Sequence, residues 1–142
     1  TSTLADAESA LAARLLPLLE HGAFDPPWVR DLARTQNEPE ERVRQLLRKL
    51  LRRGDVAQVV KDLFYHRDQV RALARIAADL AAQPAGLNAA VFRDATGLGR
   101  KRAIQILEFF DRVGYTRRVR DTHVLRAESA YAAMQVNAEP VS

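Results

Sequence analysis

The sequence contains no cysteine, which removes disulfides and thiolate metal sites and fits a reducing compartment. Its three histidines are scattered, without the spacing of metal ligands. No apolar run approaches the ~18 residues of a membrane-spanning helix, and there is no signal-peptide pattern. Glycine and proline number only 6 each in 142 residues, which suits helices better than a strand-and-turn protein. The single methionine is Met134 and residue 1 is Thr, so a fragment of a longer protein is expected.

The chain is 47% hydrophobic, enough to build a core and to argue against wholesale disorder. Its length suits one ordinary domain or two small ones. The net charge of +4 is unevenly spread. Residues 1–66 carry ten basic and ten acidic side chains, whereas residues 84–126 carry nine basic and four acidic. An anionic partner is therefore expected at the second half.

One pattern is written twice. ERVRQLLRKLLRRGDVAQVVKDLFYHR and KRAIQILEFFDRVGYTRRVRDTHVLR share an order of helix, glycine and two short strands. An offset of 60 residues aligns Val43, Leu46, Leu47 and Leu50 with Ala103, Ile106, Leu107 and Phe110, one face of a helix in each case. Gly54 and Gly114 fall where a left-handed residue would stop the helix. Val56–Val60 and Leu63–His66 then flank Lys61-Asp62, and Tyr115–Val119 and Thr122–Arg126 flank Arg120-Asp121, each reading as a tight hairpin. A shorter helix precedes each long one. The first has Pro27 at its first helical position, Asp25 or Pro26 near its cap, and ends at Thr35; the second is capped by Asn88 and ends near Thr96. Further helices span roughly 4–20 and 67–83. The expected fold is mainly α with small β-hairpins (α+β): two tandem winged-helix modules, each a helix-turn-helix with an appended wing. Module one covers 1–67, module two 68–127, and 128–142 form a flexible tail.

PPWVRDLA (26–33), DLFYHRD (62–68) and above all TGLGRKRAIQILEFFDRVGYTRR (96–118) resemble the C-terminal winged-helix region of the bacterial selenocysteine-specific elongation factors, the SelB family. The resemblance covers roughly residues 4–126. It implies that this chain corresponds to the last two of four winged helices that follow a GTPase portion. It also implies binding of a selenocysteine insertion hairpin in mRNA, tethering the factor for selenocysteine incorporation at UGA. The ribosome and selenocysteinyl-tRNA would be partners through the parent protein. GTP and Mg would belong only to the missing N-terminal part, with no cofactor in this fragment, a cytoplasmic location and a monomeric state. The segment GLGRK is not a phosphate-binding P-loop, because the G-x-x-x-x-G-K-[ST] spacing fails and no strand precedes it.

Comparing the modules isolates the candidate RNA-binding residues. The first long helix starts Glu40-Glu41-Arg42, preceded by Glu38, and the second starts Arg100-Lys101-Arg102. Acidic side chains suit the positive end of a helix dipole; cations there are unfavourable but attract phosphate. Module two is thus the expected RNA binder and module one a spacer or platform. Lys101, Gln105, Glu108 and Arg112 lie opposite the core face, with Arg102 at its flank and Arg100 at the tip. In a helix-turn-helix the N-terminal residues of the second helix approach the nucleic acid. A deep, narrow RNA major groove favours use of the tip rather than the whole helix. Arg93 flanks this surface. Arg117 and Arg118 alternate in direction, so one of them faces the RNA.

The other conspicuous side chains read as structural. Trp28 is expected in the core rather than as a stacking platform. Of the strand neighbours Phe64 and Tyr65, one is expected buried and the other exposed. Tyr115 covers the core, Ile104 and Phe109 widen the core stripe, and His66 and His123 lie on the surface. No carboxylate pair, Ser/His/Asp set or metal cluster emerges, so no catalysis is assigned. Two alternatives to hairpin binding stay open: a winged-helix DNA-binding regulator, and a scaffold docking on an acidic protein or the ribosome.

Overall fold

A computed structural model describes residues 4–126. The expected tail at 128–142 lies outside the described residues. The fold is mainly helical with two small antiparallel hairpins. Two compact units divide the chain, one ending at Val70 and the other starting at Arg71.

The first unit contains α1 (Asp6–His21), α2 (Val29–Gln36), α3 (Glu40–Arg53), β1 (Val56–Val60) and β2 (Leu63–His66). α4 (Arg67–Ala81) starts at its end and leads the second unit, followed by α5 (Ala89–Thr96), α6 (Arg100–Arg112), β3 (Thr116–Val119) and β4 (Thr122–Leu125). The helices expected over 4–20 and 67–83 are thus present, shifted by one or two residues at their ends.

The core of the first unit forms where apolar periodicity demands it. Leu11, Leu15 and Leu19 of α1 share one face and pack with Val43, Leu46, Leu47 and Leu50 of α3. Each such leucine removed from water contributes about 1.5–3 kcal/mol before the entropy cost. Glu8 joins the two helices at their polar edge: its carboxylate accepts from Lys49 Nζ at 2.6 Å and from the Ala5 amide at 3.1 Å. In the second unit the matching stripe of α6 is Ala103, Ile106, Leu107 and Phe110, all buried, widened by buried Phe109 and half-buried Ile104.

The helix-turn-helix connections match in length and design. Asn37 ends α2 in the left-handed region (φ 54°) and Gly97 ends α5 in the same way (φ 75°). Both residue types tolerate that conformation. Asn88 caps α5 as expected, its Oδ1 accepting from the Val91 amide at 2.9 Å. The start of α2 differs from expectation. Its cap is Trp28, half-buried, and the first helical residue is Val29, not Pro27. At that start the Val29 amide, which has no intrahelical acceptor, donates to the Asp62 carbonyl of the wing turn at 3.0 Å.

Both wings close on two-residue turns, with Val60 opposite Leu63 and Val119 opposite Thr122. Positive φ falls on Asp62 in one turn and on Arg120 in the other. The second wing is shorter than expected, since Tyr115 and Arg126 lie just outside the ladder, although the Arg126 amide still donates to the Tyr115 carbonyl at 2.9 Å. Tyr115 is instead a core residue. Its ring lies 5.1 Å from that of Phe110 and its hydroxyl donates to the Ala74 carbonyl at 2.8 Å. Burial, with a smaller contribution from Asp79, pushes its phenol up to about 12.

Phe64 and Tyr65 correct the sequence expectation, because both are buried. The two faces of β2 are covered from different sides. Phe64 joins the helical core, and the Tyr65 hydroxyl donates to the Phe24 carbonyl at 2.7 Å in the segment leading to α2. His66 is likewise not a plain surface residue: it is half-buried and its Nδ1 accepts from the Asp68 amide at 3.0 Å.

Candidate nucleic-acid interface

α6 opens without a side-chain cap, because its N-cap is Gly99. Amides of its first turn therefore lack the acceptor that Ser, Thr, Asp or Asn would supply. Its first three residues are Arg100, Lys101 and Arg102. Among the described residues no ion pair or hydrogen bond engages the exposed Arg100 and Lys101 side chains. Arg102 is half-buried, with its Nε donating to Gln105 Oε1 at 3.2 Å.

The first unit is built the other way at the same place. Glu40 and Glu41 open α3, and Arg44 one turn later closes the charges. Its guanidinium contacts Glu41 at 2.7 Å and Glu40 at 3.5 Å, and reaches the wing in a two-pronged pair with Asp62 at 2.8 and 3.0 Å. Arg44 holds the Asp62 carboxyl below its ordinary value. The Arg44 hydrogen bond does the same for Glu41.

In the second unit, Ile104 stands where Arg44 would be, and a groove of about 480 Å³ opens between α6 and the wing. Arg100, Ile104 and Glu108 form its helical wall, Arg118, Asp121 and His123 its wing wall. Asn88 borders it at the start of α5. A more open depression of about 560 Å³ runs along Arg100, Lys101, Ile104, Gln105 and Glu108. Arg100 is common to both.

The structure thus brings four of the seven sequence candidates together: Arg100, Lys101, Gln105 and Arg118. The alternation of Arg117 and Arg118 is resolved by register. Arg118 pairs with His123 and lines the groove, while Arg117 pairs with Val124 on the opposite, exposed face. Arg102 borders neither cavity. Arg93 is held by Asp94 at 3.1 Å and also stands apart from both. Arg112 is laid over the Phe109 ring at 5.6 Å.

Sequence reasoning missed Ile104, Asn88, Asp121 and His123 as groove residues. His123, expected on the surface, is 7% exposed. The ladder turns it inward with Thr116 and Arg118, and Asp111 supplies the polar partner that makes its burial tolerable. Asp111 Oδ1 accepts from Thr116 Oγ1 at 2.6 Å and lies 3.0 Å from His123 Nδ1. The His123 amide donates to the Leu87 carbonyl at 2.8 Å, tying the wing to the segment before α5. The signal was available in the cross-strand pairing of Arg118 with His123, once the two-residue turn is accepted.

In the first unit, Glu20, His66 and Asp68 place ligand-type atoms within 4.8 Å of one another. His66 Nδ1 is already engaged by the Asp68 amide, and both acidic residues are exposed. Among the described residues no helix is long and apolar enough to cross a membrane.

Comparison with known proteins fits this architecture. Residues 5–65 match the family model described as selenocysteine-specific elongation factor, winged helix domain. Residues 79–125 match the model described as elongation factor SelB, winged helix. The selenocysteine-specific elongation factor of Escherichia coli (strain K12) is 44% identical over 102 residues, 72% of this chain and 17% of that protein. The factor of the same name from Haemophilus influenzae is 32% identical over 104 residues, 73% of this chain and 17% of that protein. The chain therefore spans about a sixth of the length of these relatives. Among solved structures, the mRNA-binding domain of elongation factor SelB from E. coli, in complex with SECIS RNA, matches with a TM-score of 0.79 and 39% identity. That match covers 87% of this chain and 99% of the other. With both units matched to its winged-helix models, the chain belongs to the SelB family of selenocysteine-specific elongation factors.

Proposed function

We propose that the second unit binds a selenocysteine insertion hairpin in mRNA through the tip of α6 and the inner face of the wing. The observation that carries this reading is the pair Arg100 and Lys101. They sit exposed at an uncapped helix start, beside a groove that Arg118 lines from the other side. The solved relative bound to SECIS RNA supports it.

The chemistry divides into two parts. Arg100 and Lys101 at the positive end of the dipole suit backbone phosphates. Arg100 and Arg118 as donors, with Glu108 and Asp121 as acceptors, give the groove a mixed wall. Such a wall fits the edge of an unstacked base in a loop or bulge better than a phosphate, since phosphate would be repelled by both carboxylates. Gln105 extends the contact along the helix. Arg102, Arg93 and Arg117 lie at the periphery. The first unit, with its charges closed internally, acts as a spacer. In the whole factor this contact would hold the protein on its mRNA for selenocysteine incorporation at UGA in the cytoplasm. Ribosome, selenocysteinyl-tRNA, GTP and Mg would engage other parts of that protein.

The test is a titration of the chain against a selenocysteine insertion hairpin, a scrambled hairpin and the same sequence as duplex DNA. The insertion hairpin should bind tightest, with an affinity that falls steeply with salt. Equal binding of the duplex DNA would refute the reading, and a flat salt response would point to a protein partner.

A further inference from the structure

We propose that His123 is a specificity-determining residue of the groove, its neutral ring presenting Nε2 to the RNA as a hydrogen-bond acceptor; this rests on the hairpin-binding reading above. The tautomer follows from its neighbours. Asp111 Oδ1, 3.0 Å from His123 Nδ1, also receives the Thr116 hydroxyl at 2.6 Å. A carboxylate only accepts, so Nδ1 carries the hydrogen, and in the neutral form of the ring the lone pair lies on Nε2. The ring borders the groove. Among the described residues Nε2 has no hydrogen-bond partner.

The ring is also fixed in place. Asp111, itself bonded by the Thr116 hydroxyl, holds one edge, and the hydrogen bond from the His123 amide to the Leu87 carbonyl holds its strand against the segment before α5. Besides Asn88, whose Oδ1 is taken by the Val91 amide, the polar wall is charged: Arg100 and Arg118 as donors, Glu108 and Asp121 as acceptors. A neutral acceptor among them can select an uncharged donor on the RNA, either a base amino group or a ribose 2′-hydroxyl. Contacts to phosphate alone cannot supply that selectivity.

The substitution His123→Asn separates contact from structure. Asparagine can keep an N–H near the Nδ1 position, toward Asp111, but has nothing in place of Nε2. Hairpin affinity should fall roughly fivefold to tenfold, the worth of one hydrogen bond, while thermal unfolding changes little. In the unsubstituted protein, imidazole ¹⁵N NMR should show the His123 Nε2 resonance moving when hairpin is added. Hairpins with single 2′-deoxy or inosine-for-guanine replacements distinguish the two donors, since only the matching one should lose its sensitivity to His123→Asn. Wild-type protein that binds the hairpin with an unmoved Nε2 resonance, or a variant that binds as tightly as wild type, would overturn the inference alone. Failure of wild-type protein to bind any hairpin would overturn the hairpin reading and this inference with it.

Discussion

Replacing Arg100 and Lys101 together by glutamate should make the protein more stable while abolishing its RNA binding. Both residues lie in the first turn of α6, and among the described residues neither has an ion-pair partner to lose. The residues three and four positions on are Ala103, Ile104 and Gln105, so no i,i+4 pair is broken either. A cation at a helix start costs about 0.3–1 kcal/mol, and an anion there gains a similar amount. Solvent screening at an exposed tip brings the expected net gain for the pair to about 1 kcal/mol, or ~2–5 °C in melting temperature. The first unit already has this arrangement, with Glu40 and Glu41 opening α3. On the RNA side, two charge-assisted contacts of at least ~1.5 kcal/mol each are lost, a fall of more than about 100-fold. The slope of log K against log salt should drop by about two. Urea unfolding followed by circular dichroism gives the first quantity, and fluorescence anisotropy with a labelled hairpin over a salt series gives the second. A double variant that is clearly less stable would refute the dipole argument. One that keeps wild-type affinity would remove the helix tip from the interface.

Two further outcomes concern stability. Substituting Asp62 by asparagine should flatten the acid limb of unfolding for the first unit. The Asp62 carboxyl is held below its ordinary value by Arg44, so its contribution is present above the unfolded value and lost as pH falls through the folded one; an unchanged acid limb would contradict this. Substituting Tyr115 by phenylalanine should cost about 1 kcal/mol and abolish a phenol titration expected near 12, followed by ultraviolet absorbance. With the phenol raised in the folded state, that contribution is complete below the unfolded value of about 10 and is lost between there and about 12.

The features legible in the sequence were those set by local chemistry. The stripes of α3 and α6 follow from spacing, the stop at Gly54 from its positive φ, the start of α5 from Asn88, and both wings from their punctuation. The errors fall where a distant residue decides. α2 starts at Val29, whose amide is satisfied by the carbonyl of Asp62 some thirty residues later. Tyr65 is buried with its hydroxyl satisfied by the Phe24 carbonyl, some forty residues earlier. His123 is buried because Asp111 waits for it across the unit. Periodicity along one element contains none of this information. The helix tip was legible because charge sign at a terminus is a local property. The groove was not, since its second wall comes from the wing.

The two units also differ in how far the long helix and the wing satisfy each other. The second residue of each wing turn is an aspartate, Asp62 in one and Asp121 in the other. In the first unit Arg44 projects from the helix and clamps that aspartate with two hydrogen bonds, while Glu40 and Glu41 draw on the same guanidinium. Helix and wing are thereby closed on each other, and their charges are spent internally. In the second unit an isoleucine stands at the place of Arg44, and among the described residues Asp121 has no ion pair. The clamp is gone, the space between helix and wing is open, and among the described residues Arg100, Glu108 and Asp121 of its wall make no ion pair. Reversal of the helix tip from glutamates to Arg100 and Lys101 adds attraction for an anion at the mouth of that space. No new element is needed: removing an internal ion pair and reversing two charges is enough to turn a self-satisfied module into one with unmet hydrogen-bonding capacity.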